Sequence, residues 1–380
     1  MNRINRKTAI LFAAAVMCAG LVFAEDPDDS RFDLRFAREV PYRGGKVSVD
    51  NQFGSVRIRA GESGTVSVRA SIRASDPDFG KQIRIETASA PGGVTIATVY
   101  PTGRWNRNRN FSYSVDYEIV VPRSAPVHVS NRFGSINATG IAPSSEIENR
   151  HGSVRVSDAR GPQNVKNQFG SIDVRNITGD VVVKNANGSI RAEEIRGKAD
   201  LTNRFGSVAL VNAGSSATIR NSNGSVNVRS VDGAMVIDNA FGSTKVEDVR
   251  GNLEVDGSHS QIEVRGIRGD VSVKTSFSLA NITGAQGAID VQNQNGAISV
   301  SGAPACRPIS LRTSFSTIRV GVPANASYEI NARTSFGHIT SDLPITTRTL
   351  GGEATVGTIG GGKCRMELVN NNGSITIKKE

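Results

Sequence analysis

Hydrophobic and polar positions repeat every 18 residues through the middle of the chain. The motif Asn-x-Phe/Asn/His-Gly-Ser starts at seven evenly spaced asparagines: Asn131, Asn149, Asn167, Asn185, Asn203, Asn221 and Asn239. The frame continues in weaker form at Gly257, Thr275 and Asn293, and a separate early copy starts at Asn51. Because ten positions share one frame, the repeat indicates one structural unit that recurs along the chain.

Each unit predicts two short strands. The residue two before each start is Val, Ile or Leu in all ten units, and the residue seven after it is Val, Ile, Leu or Ala. Polar and charged residues fill the positions between, which is the period-two alternation of strands with one buried face. Glycines such as Gly170 and Gly179 separate the strands, since glycine accepts the backbone angles of tight turns.

An 18-residue unit cannot bury its own apolar face, but stacked units can. The sequence therefore predicts an all-β fold, a right-handed β-solenoid of 18-residue repeats with an N-terminal β cap. Successive units would lie roughly 4.8 Å apart. A sandwich of antiparallel hairpins is the alternative, and the constant repeat length argues against it because sandwich loops vary in length.

The asparagine that opens each unit has the parity of the buried positions, so it should point inward beside a turn. Stacked amides can hydrogen-bond to one another and to turn backbone. We therefore predict a structural Asn ladder at Asn131, Asn149, Asn167, Asn185, Asn203, Asn221, Asn239 and Asn293. A ligand-binding row of amides is the less favoured interpretation.

A second period of 36 residues is superimposed on the first. Two residues after the start, a structural Phe column is predicted from Phe133, Phe169, Phe205, Phe241 and Phe277, and His or Asn stands in the intervening units. Coils of 18 residues would alternate Phe with these polar residues, whereas coils of 36 residues would place Phe on Phe. Two strands and two turns already close a loop, which favours 18.

The remaining segments predict a domain order. Residues 1–24 have a basic start, an apolar stretch and a small residue before Glu25, as in a cleaved signal peptide. Residues 25–125 read as an N-terminal β subdomain, 126–304 as the regular solenoid, and 305–380 as irregular C-terminal repeats that form the other cap. The predicted location is exported: periplasm, outer cell surface or secreted, with no transmembrane segment after cleavage.

Charge changes this picture little. The chain carries 45 basic and 35 acidic residues; residues 1–24 hold three basic and no acidic residues, which leaves the mature chain at +7. The excess suits anionic glycans or wall polymers without selecting one, and export disfavours nucleic acid. The best local candidate for ligand contact is an Arg- and Trp-rich loop containing Arg104, Trp105, Arg107 and Arg109, because Trp stacks on sugars and Arg pairs with anions.

Catalytic and metal-binding patterns are weak. The four histidines lack metal-ligand spacing, and the repeated turn aspartates Asp180 and Asp270 are not matched in neighbouring units as a calcium roll requires. Glu193-Glu194 and Glu247-Asp248 are the best candidates for a carboxylate pair, but solvated side chains explain them better. We predict no enzyme, no catalytic residue, no metal and no cofactor.

Two cysteines, Cys306 and Cys364, remain after signal cleavage. Their separation equals about three units, which regular stacking would convert to roughly 14 Å, too far for a disulfide. A bridge would require the C-terminal part to fold back, and the sequence leaves this open.

These features resemble the DUF4097 family of adhesin-like bacterial proteins with β-strand repeats. The resemblance rests on the predicted signal peptide, the strand Tyr117–Pro122 and recurrent turns such as Gly134-Ser135-Ile136 and Gly188-Ser189-Ile190. It covers about residues 40–380, and the strict 18-residue frame and Asn-rich turns depart from the family pattern. It implies an exported β-solenoid and supplies no catalytic residues.

The sequence thus favours a non-enzymatic, adhesin-like scaffold of the cell surface or envelope. Its partner would be a glycan, a wall polymer or another surface protein. A carbohydrate-active β-helix enzyme and a self-assembling envelope filament are the alternatives. Several carboxylates with an arginine in one groove would favour the enzyme.

Overall fold

The structure is a computed structural model that describes residues 31–102, 111–350 and 354–380, with the backbone alone described for 347–350. The strands stack into a β-solenoid of about 11 turns with a repeat of about 18 residues, as the sequence predicted. The predicted signal peptide and the Arg104–Arg109 loop lie outside the described residues. The predicted domain boundaries remain predictions.

The N-terminal part contains seven strands and one short helix. They are β1 (Phe32–Pro41), β2 (Lys46–Phe53), β3 (Val56–Gly61), β4 (Thr65–Ala74), α1 (Pro77–Gly80), β5 (Arg84–Ala90), β6 (Gly93–Val99) and β7 (Tyr113–Pro122). The helix starts after Asp76, whose carboxylate accepts a hydrogen bond from the Phe79 amide.

The regular array contains eighteen strands. They are β8 (Val127–Phe133), β9 (Ile136–Thr139), β10 (Ser145–His151), β11 (Val154–Ser157), β12 (Gln163–Phe169), β13 (Ile172–Ile177), β14 (Val181–Asn187), β15 (Ile190–Ile195), β16 (Ala199–Phe205), β17 (Val208–Ala213), β18 (Ala217–Val231), β19 (Met235–Val249), β20 (Leu253–Gly257), β21 (His259–Ile267), β22 (Val271–Thr275), β23 (Ala280–Thr283), β24 (Ile289–Asn293) and β25 (Ile298–Ser301).

Two parallel sheets form the walls of this array. Face A contains the strand that leads to the Phe/Asn/His position of each unit, and face B contains the strand that follows the Gly-Ser turn. On face A, Asn149 pairs in register with Asn131 and Asn167. On face B, Val156 pairs with Ala138 and Val174. This 18-residue register excludes the 36-residue coil, because units that follow each other in sequence are also adjacent in space.

The aliphatic positions of both faces form the core. The two columns predicted from the sequence are buried, as in Ile147 and Val156, which are fully inaccessible. Burying such side chains contributes roughly 1.5–3 kcal/mol each before the entropy of ordering is subtracted. Parallel strands of this kind are stable only when the stack continues or is capped, because one coil leaves its edges unpaired.

Antiparallel strands cap the N-terminal end. The coil β2–β3 lies directly under the first regular coil, β8–β9. Beyond it, face A continues through β6 and ends in the antiparallel pair β5–β6. Face B continues through β7 to β4 and β1, which are both antiparallel.

The C-terminal part contains eight strands. They are β26 (Ile309–Phe315), β27 (Ile318–Val322), β28 (Tyr328–Phe336), β29 (Ile339–Ser341), β30 (Thr346–Leu350), β31 (Ala354–Ile359), β32 (Cys364–Asn372) and β33 (Ile375–Lys379).

These strands do not stack in sequence order. The last coil, β32–β33, lies between the coils β26–β27 and β28–β29, and all three are parallel. Strand β31 then adds antiparallel to β28, and β30 adds antiparallel to β31 and ends face A. The chain therefore folds back and inserts its last coil into the stack.

The fold-back brings Cys306 and Cys364 together in a disulfide with Cα atoms 5.3 Å apart. The separation of roughly 14 Å predicted from regular stacking is wrong, because β32 is the immediate neighbour of β26 rather than a coil three units further on. The alternative that the sequence left open, a fold-back with a bridge, is the one found.

Candidate binding surface

The repeated asparagines lie inside the turn that joins face A to face B. Their side chains are buried, and in five of them Nδ2 donates to the carbonyl of the glycine 15 residues earlier: Asn149, Asn167, Asn185, Asn203 and Asn239. For example, Asn149 bonds to Gly134 at 3.0 Å, Asn167 to Gly152 at 2.9 Å and Asn203 to Gly188 at 3.1 Å. Because the amides are out of reach of solvent, they fasten one turn to the next and offer a ligand no surface.

The amides bond to each other less than the sequence suggested. Among the described residues, a direct bond between two of these amides occurs from Asn221 Nδ2 to Asn239 Oδ1, at 3.1 Å. In the other units Nδ2 donates to a backbone carbonyl of the neighbouring turn, which belongs to glycine in most units and to Ser278 for Asn293. The structural role predicted for the whole row remains a prediction.

Outside this turn lies a continuous column of side chains, which we name the aromatic ridge. In spatial order its rungs are Phe53, Phe133, His151, Phe169, Asn187, Phe205, Asn223, Phe241, His259, Phe277, Asn295, Phe315, Asn372 and Phe336. Seven of the phenylalanines, from Phe133 to Phe336, are 39–74% exposed. The five Phe predicted as a structural column thus lie on the surface.

The rings of the ridge are parallel to one another. Phe133 and His151 stack with centroids 4.7 Å apart and planes 4° apart, and His151 and Phe169 with 4.8 Å and 3°. This spacing is that of the strands, so backbone pairing sets it. Within the runs that contain His151 and His259 the rings cover each other's faces and present their edges to solvent, whereas Asn187 and Asn223 flank Phe205.

A shallow trough of Gly and Ser runs beside the ridge on the face B side. Its glycines have positive φ, as in Gly206 at +121°, where a Cβ would lie 2.4 Å from the carbonyl oxygen of Gly188. A side chain at Gly206 would therefore clash with the turn before it, whereas later coils have serine at the equivalent position, in Ser260, Ser278 and Ser316. The ridge consequently stands above its surroundings on this side.

On face B the carboxylates that might have formed a catalytic pair are engaged with basic neighbours. Glu193 lies 3.5 Å from Arg175 and also pairs with Arg191. Glu247 pairs with Lys245 at 2.8 Å and Arg229 at 3.0 Å; hydrogen bonding from Lys245, reinforced by Arg229, lowers the pKa of Glu247. The lowered pKa favours the ionised form of Glu247, which suits a solvated surface better than a general acid.

The neighbours of these two acids face turns. Glu194 and Asp248 have φ of 55° and 59°, and Glu194 accepts a hydrogen bond from Asn212 of the next unit at 2.7 Å. The turn aspartates behave similarly, because Asp180 accepts from the Lys198 amide and Asp270 from the Ala288 amide, each at 2.8 Å. Backbone amides thus occupy the oxygens that a calcium ladder would need.

A groove of about 580 Å³ runs along face A near the turns that enter it. Glu254, Asp290, Glu367 and Arg365 line it together with small and aliphatic residues. Glu367 bonds to Arg365 and to Arg312, each at 3.2 Å, so this carboxylate is neutralised. The groove has the composition that the sequence analysis set as a mark of an enzyme, and Glu254 and Asp290 remain its candidate acids.

A cluster of aromatic residues near the N-terminal end was not foreseen. A cavity of about 410 Å³ is lined by Phe79, Tyr100, Phe111 and Tyr113, among others. Phe53 joins this cluster to the ridge, with its ring centroid 4.7 Å from Tyr113 and 5.0 Å from Phe133. Sequence reasoning missed it because these residues come from helix α1, from around the end of β6 and from around the start of β7, in a segment without the repeat.

Below the cluster the polar groups are satisfied by one another. Asn51 Oδ1 accepts from Thr98 Oγ1 and from the Tyr100 hydroxyl, each at 3.0 Å. Burial raises the pKa of Tyr117 to about 12, against the lowering effect of a hydrogen bond with Thr98. These hydroxyls are protonated at neutral pH and serve the packing of the cap.

No group of His, Cys, Asp and Glu with the arrangement of a metal site occurs in the described part of the chain. His128 lies 3.2 Å from Glu146, and His151 and His259 are rungs of the ridge. A helix long and apolar enough to cross a membrane is likewise not found among the residues the structure covers.

Fold and surface define the class as a β-solenoid repeat protein with a long exposed aromatic edge. Residues 216–378 match the model of the family described as Toastrack DUF4097, which is the family that the sequence resembled. A search of curated proteins found no match.

Three solved structures are similar over most of their length. A "putative cell adhesion protein" from Clostridium sporogenes is 8% identical, covers 92% of this chain and 100% of its own, and has a TM-score of 0.20. A "putative adhesin" from Parabacteroides distasonis is 12% identical over 73% and 97%, with a TM-score of 0.24. A "putative adhesin" from Bacteroides fragilis is 10% identical over 91% and 97%, with a TM-score of 0.23. At these TM-scores the similarities support no inference about function.

Proposed function

We propose that the protein is an exported, non-enzymatic scaffold of the adhesin-like type, and that the aromatic ridge is its contact surface. The observation that carries this proposal is the column of seven exposed phenylalanines, alternating with Asn and His, along one edge of the solenoid. A monomeric soluble protein rarely leaves a contiguous apolar patch of this size uncovered, and such patches mark interaction sites.

The chemistry of the rest of the surface supports binding over catalysis. The carboxylates of face B are paired with Arg or Lys, and those of the turns accept backbone hydrogen bonds. Catalysis would need convergent groups held ready for proton transfer. Regular strand pairing holds the ridge rigidly, so little entropy is lost when a partner binds.

A carbohydrate-active enzyme is the second candidate, and the groove with Glu254 and Asp290 favours it. These residues lie two rungs apart on face A, roughly 10 Å along the axis. That separation is near the upper end of what inverting glycosidases use. The filament alternative is weaker, because antiparallel strands end face A at both ends of the stack.

The test is a binding assay on residues 25–380 with insoluble peptidoglycan and a glycan array. We expect the variant Phe169→Ser/Phe205→Ser/Phe241→Ser to lose binding. Val236→Ser, which changes an exposed apolar residue of the face A groove and not of the ridge, should keep it. Loss of binding in Arg104→Ala/Trp105→Ala alone would assign the contact to that loop instead.

The same samples decide the enzymatic alternative. Release of reducing ends from any arrayed polysaccharide, abolished by Glu254→Gln or Asp290→Asn, would overturn the non-enzymatic proposal. Binding without release supports it.

A further inference from the structure

The partner that best fits the aromatic ridge is a second copy of this chain. We propose that two copies associate side by side and antiparallel, ridge against ridge. This inference rests on the proposed role of the ridge as the contact surface and names its occupant.

The period of the ridge suits contact with an identical ridge. Phe alternates with Asn or His from Phe133 to Phe336, so large rungs recur every two strands, or roughly 9.6 Å. An identical ridge shifted by one rung interleaves with it. A two-fold axis passing between the rungs of Asn223 and Phe241 produces that shift.

With this axis, each Phe rung from Phe133 to Phe315 faces an Asn or His rung of the other copy. Phe241 of one copy faces Asn223 of the other, Phe205 faces His259, and Phe277 faces Asn187. Since the contact is self-complementary, it closes as a dimer rather than growing into a fibre. The edges of the rings, which point outward, are the parts that become buried.

The exposed apolar area of the ridge is close to what a stable dimer buries. Seven rings with 39–74% exposure present roughly 700 Å² of apolar surface, at about 200 Å² for a whole Phe side chain. A stable protein interface buries about 800 Å² on each partner. The ridge and its flanks therefore supply the surface that a specific dimer needs.

The charged side chains of face A beside the ridge also favour an antiparallel pair. With the same axis, Glu148 of one copy lies at the rung of Arg312 of the other, and Arg220 lies at the rung of Asp238. Lys184 meets Lys274, the one like-charged match among these positions. A parallel pair in register would set each of these charges opposite itself, which disfavours that arrangement.

Glu148 and Arg312 allow a sharp test because they cannot meet within one chain. Nine strand spacings, roughly 43 Å, separate them along the stack. Both side chains are about half exposed, at 43% and 52%, so their reversal leaves the core intact.

The experiment is sedimentation velocity over a concentration series of residues 25–380. We expect a monomer–dimer equilibrium that Glu148→Arg or Arg312→Glu alone weakens about tenfold. The double reversal restores it, and an equimolar mixture of the two single variants forms a heterodimer. Phe169→Ser/Phe205→Ser/Phe241→Ser abolishes dimerisation, and Val236→Ser leaves it unchanged.

A wild-type chain that stays monomeric at high concentration, or a charge reversal that the second reversal fails to rescue, would overturn the dimer. Circular dichroism of each variant separates loss of association from loss of fold. A monomeric wild type that binds peptidoglycan through the ridge would refute the dimer and leave the scaffold proposal standing. A wild type that dimerises, but whose ridge variants still bind polymer, would support the dimer and refute the ridge as the surface that contacts polymer.

Discussion

Cys306 and Cys364, 58 residues apart in sequence, lie at adjacent levels of the solenoid and form a disulfide. The bond joins the segment before β26 to the start of β32, the coil that inserts into the stack out of sequence order. It therefore closes the loop that contains β26–β31.

Removing this disulfide should destabilise the C-terminal cap. In the chain-entropy treatment a loop of this length contributes about 4 kcal/mol. We expect Cys306→Ser/Cys364→Ser to lower the denaturant midpoint, or to unfold the C-terminal coils at a lower concentration than the rest. Limited proteolysis of this variant should begin between residues 323 and 364. An unchanged denaturant midpoint and an unchanged cleavage pattern would show that the disulfide does not stabilise the C-terminal cap.

The glycine position in a turn such as that of Gly206 should tolerate no side chain. Gly206→Ala would place a Cβ 2.4 Å from the carbonyl oxygen of Gly188 in an unfavourable φ region, so we expect a loss of about 2–4 kcal/mol. Gly64→Ala is the matched control, because nothing lies within 4 Å of its Cβ position. Thermal unfolding of both variants should separate them clearly, and equal melting temperatures would argue against the close approach of successive turns.

The buried amide of Asn203 should be replaceable by threonine better than by alanine. Asn203→Ala removes the bond to Gly188 and should cost about 1–2 kcal/mol. Where the chain itself has threonine at this position, its hydroxyl makes the equivalent bond, as Thr313 Oγ1 does to Gly296 at 3.0 Å. Urea unfolding should rank wild type above Asn203→Thr and both above Asn203→Ala.

The cap should lose stability in acid through Asp116. Burial raises the pKa of this carboxyl, but hydrogen bonds from the Ser55 amide and hydroxyl and from Arg73 outweigh it, so the pKa is lowered on folding. The stabilisation is complete above the unfolded pKa of about 4 and is lost as the pH falls through the lower folded value.

Asp116→Asn tests this pH dependence. At pH 7 we expect the variant to be less stable by about 1 kcal/mol, since the ion pair with Arg73 at 2.7 Å is lost. The difference from wild type should shrink below pH 4. A gap that stays constant from pH 7 to pH 3 would show that Asp116 acts only through packing.

The regular part of the fold could be derived from the sequence because its signals are local and repeated. A residue two before each start and one seven after it are apolar in every unit, and parallel in-register pairing is the arrangement that turns such positions into buried columns. The sequence favoured the 18-residue coil without deciding it against 36 residues. The structure decided it, since strands β18 and β19 each pass through both faces within one repeat.

The remaining features depend on contacts that no local pattern encodes. The place at which β32–β33 inserts depends on which strand edges pair with that coil, and this pairing also brings Cys306 to its disulfide partner. Because the coils of this segment have similar sequences, no local pattern specifies the order in which they stack. The rings of Phe133 to Phe336 became a surface ridge because the inward-facing place at the same turn is taken by Asn or Thr. The sequence alone determined that the chain stacks; the tertiary structure decided the order of the final coils and which columns face solvent.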